Sequence, residues 1–146
     1  MMKEFNYYLN HNLARKSSLD VAQAKALIEK AEGRIKFSIK SRKIDDNTSF
    51  YIFEDIYECL REATQSLMFL AGYKPYSHEA IISFLEEFYN FEEFDMNLLN
   101  QYRILRDKII YGGEKISVKR CKESLRFLNT FFPKIKKEFV KNDKIK

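Results

Sequence analysis

Apolar residues recur at intervals of three and four positions along most of this 146-residue chain, which is the spacing of one face of an α-helix. Five such series are separated by short polar stretches, so the pattern predicts five helices. The first helix is expected over about residues 18–42. The apolar faces run from Ala24 to Ile35, from Phe53 to Ala71, from Ile81 to Phe88, from Leu98 to Ile109 and from Val118 to Phe139.

Residues typical of helix C-termini and N-terminal caps lie between these series, in agreement with the periodicity. Gly72 and Gly113 follow apolar faces, at positions where a residue in the left-handed conformation ends a helix. Ser77 and Ser117 each precede a new face, as an N-terminal cap does. Pro133 lies inside the last face and predicts a kink, because proline has no backbone N–H to donate.

The chain is expected to fold as an all-α, four- to five-helix up-and-down bundle. No segment alternates between apolar and polar residues for long enough to predict a strand, and short loops between long helices favour antiparallel neighbours. The length predicts one domain over residues 1–146. Its ordered core is expected at about 5–140, followed by a basic tail at 141–146.

Composition narrows the class of protein. The chain is 45% hydrophobic and 15% aromatic, which argues against disorder, and no apolar run is long enough to cross a membrane. The first residues lack the pattern of a signal peptide. Cys59 and Cys121 are far apart and are interpreted as buried thiols in a reducing compartment. We therefore expect a cytoplasmic protein without a metal or cofactor.

Charge permits a nucleic-acid partner without requiring one. The chain has 26 Lys and Arg against 21 Asp and Glu, a net charge of +5. The segment 75–101 contains acids and neither Lys nor Arg, so the rest of the chain is more basic. A basic surface attracts phosphate, but alternating charges on solvated helix faces give the same balance.

The fourth helix carries two arginines at the border of its apolar face. Arg103 and Arg106 are one turn apart, and Asp107 and Tyr111 lie next to them around the helix. An arginine at such a border pairs with a carboxylate, binds phosphate or extends to water. The pair therefore predicts either an anion site or a structural ion pair.

The end of this helix also carries a family resemblance. The chain has five helices in this order, a Gly72-x-x-Pro75-x-Ser77-His78 break, and the segment LRDKIIYGG at 105–113. In these features it resembles proteins of the HEPN-domain family over about residues 5–140. The resemblance implies a helical homodimer, often encoded beside a small nucleotidyltransferase. It also implies a metal-independent ribonuclease of a toxin–antitoxin or defence system.

The motif of this family is an arginine, a polar residue and a histidine four to six positions after the arginine. By resemblance, Arg106 and Asp107 fill the first two positions, and Tyr111 stands in place of the histidine. The resemblance implies that Arg106 and Tyr111 are catalytic and that Arg103, Arg106, Asp107 and Tyr111 bind phosphate or nucleic acid. An imidazole exchanges protons near pH 7 and a phenol does not, so a degenerate ribonuclease is expected.

The chain has two histidines, His11 and His78, and neither follows an arginine at the interval of the motif. His11 is interpreted as a surface residue. His78 follows the predicted cap Ser77, where a local or solvent contact is the ordinary interpretation. The alternative is that His78 turns toward Arg106 and supplies the missing imidazole.

Three functions remain open from the sequence. The first is a HEPN-like homodimer with an arginine-lined site for RNA or a nucleotide phosphate. The second is a non-catalytic binding subunit that partners a small nucleotidyltransferase. The third is a structural dimer without a ligand, whose arginines are paired with acids.

Overall fold

The computed structural model of the chain describes residues 2–145, and side chains for residues 2–143. Within these residues the fold is all-α, as the periodicity predicts, and all five long helices are present. A π-helical segment, Ile35–Ile39, continues the first of them. In chain order the other elements are α1 (Phe5–Asn10), β1 (Ala14–Lys16), α2 (Val21–Arg34), α3 (Ser49–Ala71), β2 (Tyr73–Pro75), α4 (His78–Phe88), α5 (Glu93–Gly112) and α6 (Val118–Ile145).

Helix α3 is the centre of the bundle, because it packs against α2, α4, α5 and α6. Helix α3 carries buried apolar residues on more than one of its faces, and Ile52, Ile56 and Leu60 are fully buried. Helix α6 buries most of its predicted stripe, including Leu128 and Ile135. The burial of these apolar side chains, which is worth about 25 cal/mol per Å² of apolar surface, is the main contribution to the stability of such a bundle.

The predicted helix boundaries are confirmed at four positions. Gly72 and Gly113 adopt the left-handed conformation, with φ of +83° and +71°. A side chain on Gly72 would lie 3.0 Å from the carbonyl oxygen of Ser17, so this position requires glycine for space as well as conformation. The hydroxyls of Ser77 and Ser117 each accept a hydrogen bond at 3.1 Å from a backbone N–H in the first turn of α4 and α6.

Two short strands are present where the sequence predicts none. Strands β1 and β2 pair antiparallel, with Ala14 opposite Pro75 and Lys16 opposite Tyr73. The pairing extends beyond the strands, since the N–H of Tyr76 donates to the carbonyl of Leu13 at 2.8 Å. Strands of three residues are too short to show an alternating pattern, which is why the periodicity missed them. The pair fixes the connection between α3 and α4.

The first and last long helices differ from their predicted bounds. Helix α2 begins after Asp20, whose side chain accepts a hydrogen bond at 2.9 Å from the N–H of Gln23, and the helical path ends at Ile39 rather than near residue 42. Helix α6 continues through Pro133 to Ile145, so residues 141–145 of the predicted tail are helical. Residue 146 of that tail lies outside the described residues.

An ion-pair network joins α2 and the π-helical segment to α3. Arg34 donates to both carboxylate oxygens of Glu62 at 2.9 and 3.1 Å and to Asp55 at 3.2 Å. Asp55 also accepts a hydrogen bond from Ser38 at 2.6 Å and one from Arg42. Glu62 is 1% exposed. We call these five residues the Arg34–Glu62 network.

The two cysteines are buried free thiols, as the sequence predicts. Burial raises the pKa of the Cys59 thiol to about 12 and that of Cys121 to about 11. Because the thiolate is the reactive form, neither residue is a nucleophile near neutral pH. Among the described residues, every helix is too short or too polar to cross a lipid bilayer.

Candidate functional site

His78 and Arg106 both contact the same tyrosine, Tyr57. The hydroxyl of Tyr57, in α3, lies 3.2 Å from Nδ1 of His78, the first residue of α4. The guanidinium carbon of Arg106, in α5, lies 5.8 Å from the centre of the Tyr57 ring, within the range of a cation–π contact. Three helices therefore bring an imidazole, a phenol and a guanidinium together.

The local sequence explains why His78 lies at this place. The strand pair holds the residues before α4, and the Ser77 cap fixes the residue at which the helix begins. Tyr57 belongs to the buried face of α3 and is 4% exposed. Its ring is packed among apolar side chains and its hydroxyl reaches the polar edge where α4 begins. Burial raises the pKa of the Tyr57 phenol well above its usual range, so the hydroxyl stays protonated.

The environment of His78 favours its neutral form. Burial lowers its pKa below the ordinary 6.5, and the positive charges of Arg106 and Arg61 lower it further. Nδ1 is hydrogen-bonded to Tyr57, so Nε2 is the ring nitrogen left for a ligand. A neutral imidazole with one free nitrogen is the form that accepts a proton near pH 7.

Asp107 lies beside both predicted arginines. It is 3.7 Å from Arg106 and 3.7 Å from Arg103, and Arg103 is also 3.6 Å from Glu79. Arg103 has a closer partner in Asn100, to whose side-chain oxygen it donates at 3.0 Å. Its side chain is 14% exposed, against 21% for Arg106. Arg106 is therefore the more available of the two guanidiniums.

These ion pairs are longer than charge-assisted hydrogen bonds, which run about 2.7–2.9 Å. A phosphate can replace such contacts with shorter ones, because its oxygens accept directly from the guanidinium N–H groups. The acids nevertheless reduce the positive charge of the site. We call Tyr57, His78, Arg103, Arg106 and Asp107 the arginine–histidine cluster.

The structure brings Arg103, Arg106 and Asp107 together, as the sequence predicts, and leaves Tyr111 apart from them. Tyr111 is 81% exposed at the end of α5. In the described part of the chain, no hydrogen bond or ion pair joins it to the arginines. His78 and Arg106 share a contact with Tyr57, and that His78 supplies the imidazole of the motif stays a prediction.

Sequence reasoning missed Tyr57 in the cluster and Glu79 beside it. Tyr57 lies within the apolar face predicted for α3, and its hydroxyl is the signal that it needs a partner. Glu79 lies in the first turn of α4 and contacts Arg103. It also accepts a hydrogen bond from the Tyr8 hydroxyl at 3.3 Å, which ties α1 to the edge of the site.

Other candidate chemistry is not brought to this site. His11 is exposed and stacks on Tyr7 with ring centres 4.0 Å apart, as expected for a surface histidine. Among the described residues, no group of three or more His, Cys, Asp or Glu side chains is placed to hold a metal ion.

Comparison with known protein families, with curated proteins and with solved structures finds no match to this chain. The chemistry of the arginine–histidine cluster is therefore the basis on which a function is inferred.

Proposed function

We propose that the protein binds the phosphate backbone of RNA at the arginine–histidine cluster and cleaves it without a metal ion, as the resemblance to HEPN ribonucleases implies. The observation that carries this proposal is the contact of His78 and Arg106 with the same residue, Tyr57. A general base beside a fixed cation is what cleavage by a ribose hydroxyl requires.

His78 is proposed to act as the general base. In the tautomer that carries the proton on Nδ1, that N–H donates to the Tyr57 oxygen and Nε2 is free to accept the proton of a ribose 2′-hydroxyl. The 2′ oxygen then forms a bond to the adjacent phosphorus while the bond from phosphorus to the 5′ oxygen breaks. The proton held by His78 passes to the departing 5′ oxygen. The products are a 2′,3′-cyclic phosphate and a 5′-hydroxyl.

Arg106 is proposed to stabilise the negative charge that develops on the phosphoryl oxygens. Its guanidinium is partly exposed and is paired with Asp107 at 3.7 Å, so a phosphate can approach it. Arg103 is the more buried and has more partners, which suits a positioning role toward Asp107 and Glu79. Tyr111, being exposed, is proposed as a stacking surface for an unpaired base at the border of the site.

The proposal includes a homodimer in the cytoplasm. Free buried thiols fit a reducing compartment. In the dimer that the resemblance implies, the arginines of two copies lie near one another and increase the positive charge that RNA encounters. Analytical ultracentrifugation tests the dimer independently of cleavage.

Cleavage is tested with a labelled single-stranded 20-nucleotide RNA in the presence of a chelator. The wild type is expected to give fragments ending in a cyclic phosphate. His78→Asn keeps a hydrogen-bond partner for Tyr57 but cannot take up a proton, so the rate should fall about 100-fold or more. Arg106→Ala should reduce it similarly, because transition-state charge loses its partner.

The matched control is His11→Asn, which changes the other histidine at an exposed position and should leave the rate unchanged. Circular dichroism melting shows whether each variant is folded. Absence of cleavage by the wild type, or equal cleavage by folded His78→Asn, would contradict the proposed catalysis.

The pH dependence follows from the lowered pKa of His78. The base works when neutral, so the rate should rise with pH through a value below 6.5 and be level at pH 7. In Arg106→Ala a positive charge near the imidazole is lost, so the His78 pKa should rise toward its ordinary value. NMR titration of the His78 ring proton measures this shift directly. A His78 pKa unaffected by the Arg106 change would contradict the proximity on which the mechanism depends.

A further inference from the structure

A pocket of about 190 Å³ lies directly beside His78, between the end of α3 and the beginning of α4. Arg61 and Gln65 of α3, Pro75 and Tyr76 of the strand connection, and His78 are among the residues that line it. We propose that this pocket holds one unpaired nucleobase next to the phosphate bound at the arginine–histidine cluster, and that it prefers a base with carbonyl oxygens. The inference rests on the proposed function. We call it the base pocket.

The orientation of Gln65 is fixed by its neighbour. Arg61 donates a hydrogen bond to the side-chain oxygen of Gln65 at 2.6 Å. A guanidinium has donors and no acceptor, so the amide oxygen must face it and the amide NH₂ points elsewhere. Arg61 also donates from Nε to Glu58. The polar wall of the base pocket therefore offers N–H groups to a ligand.

Donors on this wall select among bases. Uracil and guanine present carbonyl oxygens that accept hydrogen bonds, whereas adenine presents an amino group that would meet the N–H groups of Gln65 and Arg61. The donors of Gln65 and Arg61 therefore favour uracil or guanine over adenine on this wall of the base pocket. Arginine reads the carbonyl oxygen of guanine in this way in other sites, whereas glutamine reads adenine through its amide oxygen and NH₂ together, and the oxygen of Gln65 is already bonded to Arg61.

Tyr76 supplies an aromatic face at the opening of the base pocket. Its ring is 52% exposed, and its backbone N–H is held by the carbonyl of Leu13 at 2.8 Å. Pro75, opposite Ala14 in the strand pair, restricts the backbone just before it. An aromatic ring that is exposed on a fixed backbone is suited to stacking on an unpaired base.

The two sites share His78, which lines the base pocket and contacts Tyr57 of the cluster. A base in the pocket would place the ribose and phosphate attached to it near the imidazole. The recognised base would therefore adjoin the bond that is cut, and binding at the pocket would orient the 2′-hydroxyl toward Nε2.

The test uses three fluorescein-labelled strands of eight abasic sugar-phosphate units without a 2′-hydroxyl, so that no cleavage occurs. One strand carries no base, one a single uracil and one a single adenine. Affinity is measured by fluorescence anisotropy. The uracil is expected to tighten binding about tenfold relative to the strand without a base, and the adenine less.

Each variant is expected to change the affinities for the three strands in a different way. Tyr76→Ala should remove the gain from either base, and Gln65→Leu should remove the preference for uracil over adenine. Arg106→Ala should weaken all three strands alike, because it acts on phosphate. Tyr51→Ala and Gln23→Leu are matched controls at exposed positions and should behave as the wild type. Tyr51 lies about 21 Å from Gln65 along α3, at about 1.5 Å per residue.

The outcomes separate the two proposals. If the strand without a base binds through Arg106 but a base adds nothing, or if folded Tyr76→Ala and Gln65→Leu match the wild type, the base pocket is refuted and phosphate binding stands. If only the strands with a base bind, and Tyr76→Ala abolishes this, the base pocket stands and the phosphate site is refuted. If none of the three strands binds, both are refuted.

Discussion

The Arg34–Glu62 network and the arginine–histidine cluster both bring arginines and carboxylates together beside helix α3, and they differ in geometry. In the network, Arg34 reaches Glu62 at 2.9 Å and Asp55 at 3.2 Å. In the cluster, Arg103 and Arg106 are 3.7 Å from Asp107, which is 43% exposed. Glu62, by contrast, is 1% exposed.

This difference separates a structural role from a binding role. In the network the short contacts satisfy buried charges that would be costly to leave unpaired. In the cluster the longer contacts leave N–H groups available, and the partly exposed carboxylate can be displaced. The comparison teaches that arginines near carboxylates are not all equivalent, because distance and burial decide whether a ligand can compete for them.

The largest expected effect comes from breaking the network. Glu62→Ala leaves Arg34 without its two closest contacts in a largely buried position, so the free energy of unfolding should fall by about 3 kcal/mol. Urea unfolding followed by circular dichroism measures the loss.

Glu32→Ala is the matched control for this change. Glu32 contacts Lys136 at 2.6 Å, the same distance as that between Ser38 and Asp55 in the network, but both side chains are well exposed. Its loss should cost less than about 1 kcal/mol. If the two variants were equally destabilised, burial would not distinguish structural from surface pairs here.

A smaller effect is expected in the cluster, where removing a carboxylate should increase affinity rather than reduce stability. Asp107→Asn removes the carboxylate shared by Arg103 and Arg106, so the strand without a base should bind up to about fivefold tighter, because the guanidiniums lose a competing anion. Unfolding free energy should change by less than about 1 kcal/mol. Anisotropy at fixed salt and urea unfolding measure the two quantities.

Asp46→Asn, at an exposed position in the loop before α3, makes the same change in net charge and should leave affinity unaltered. Weaker binding by Asp107→Asn would mean that Asp107 itself contacts the ligand, and would remove the distinction drawn between the cluster and the network.

The smallest effect is expected outside both groups. Tyr111→Ala removes a ring that is 81% exposed, so stability should change by less than about 0.5 kcal/mol. RNA binding should weaken only about threefold, since the ring is not held in place by packing. Tyr111→Phe, which keeps the ring, should match the wild type. A loss of cleavage in Tyr111→Phe would make the hydroxyl part of the catalytic site.

Local sequence signals were enough for most of the fold. Glycine stops determine the ends of α3 and α5, and serine caps determine the beginnings of α4 and α6, because each depends on a few adjacent residues. The strand pair depends on residues far apart in sequence, and its strands are too short for periodicity. The π-helical segment lies where Ser38 meets Asp55 of another helix, a tertiary contact that no local pattern contains.

The candidate site was predictable in part. The placement of Arg103, Arg106 and Asp107 on one helix follows from their spacing. The approach of His78 depends on how α4 packs against α3 and α5, so the sequence offered it only as an alternative. Glu62 shows the same limit, because a carboxylate on an apolar face is explained by Arg34 and Lys30 of another helix. Homodimerisation and a nucleotidyltransferase partner stay predictions.

The pairing of β1 with β2 affects the order in which the parts of the chain fold. During synthesis β1 leaves the ribosome first and must wait until α2 and α3 have emerged before its partner is available. A contact between segments so distant in sequence closes late, because the intervening chain loses entropy when the loop forms. Tyr76 and His78 follow β2 directly, so the wall that they form should become ordered only at the end of folding. Under the proposed function, a nascent chain would therefore carry no complete site until this contact has closed.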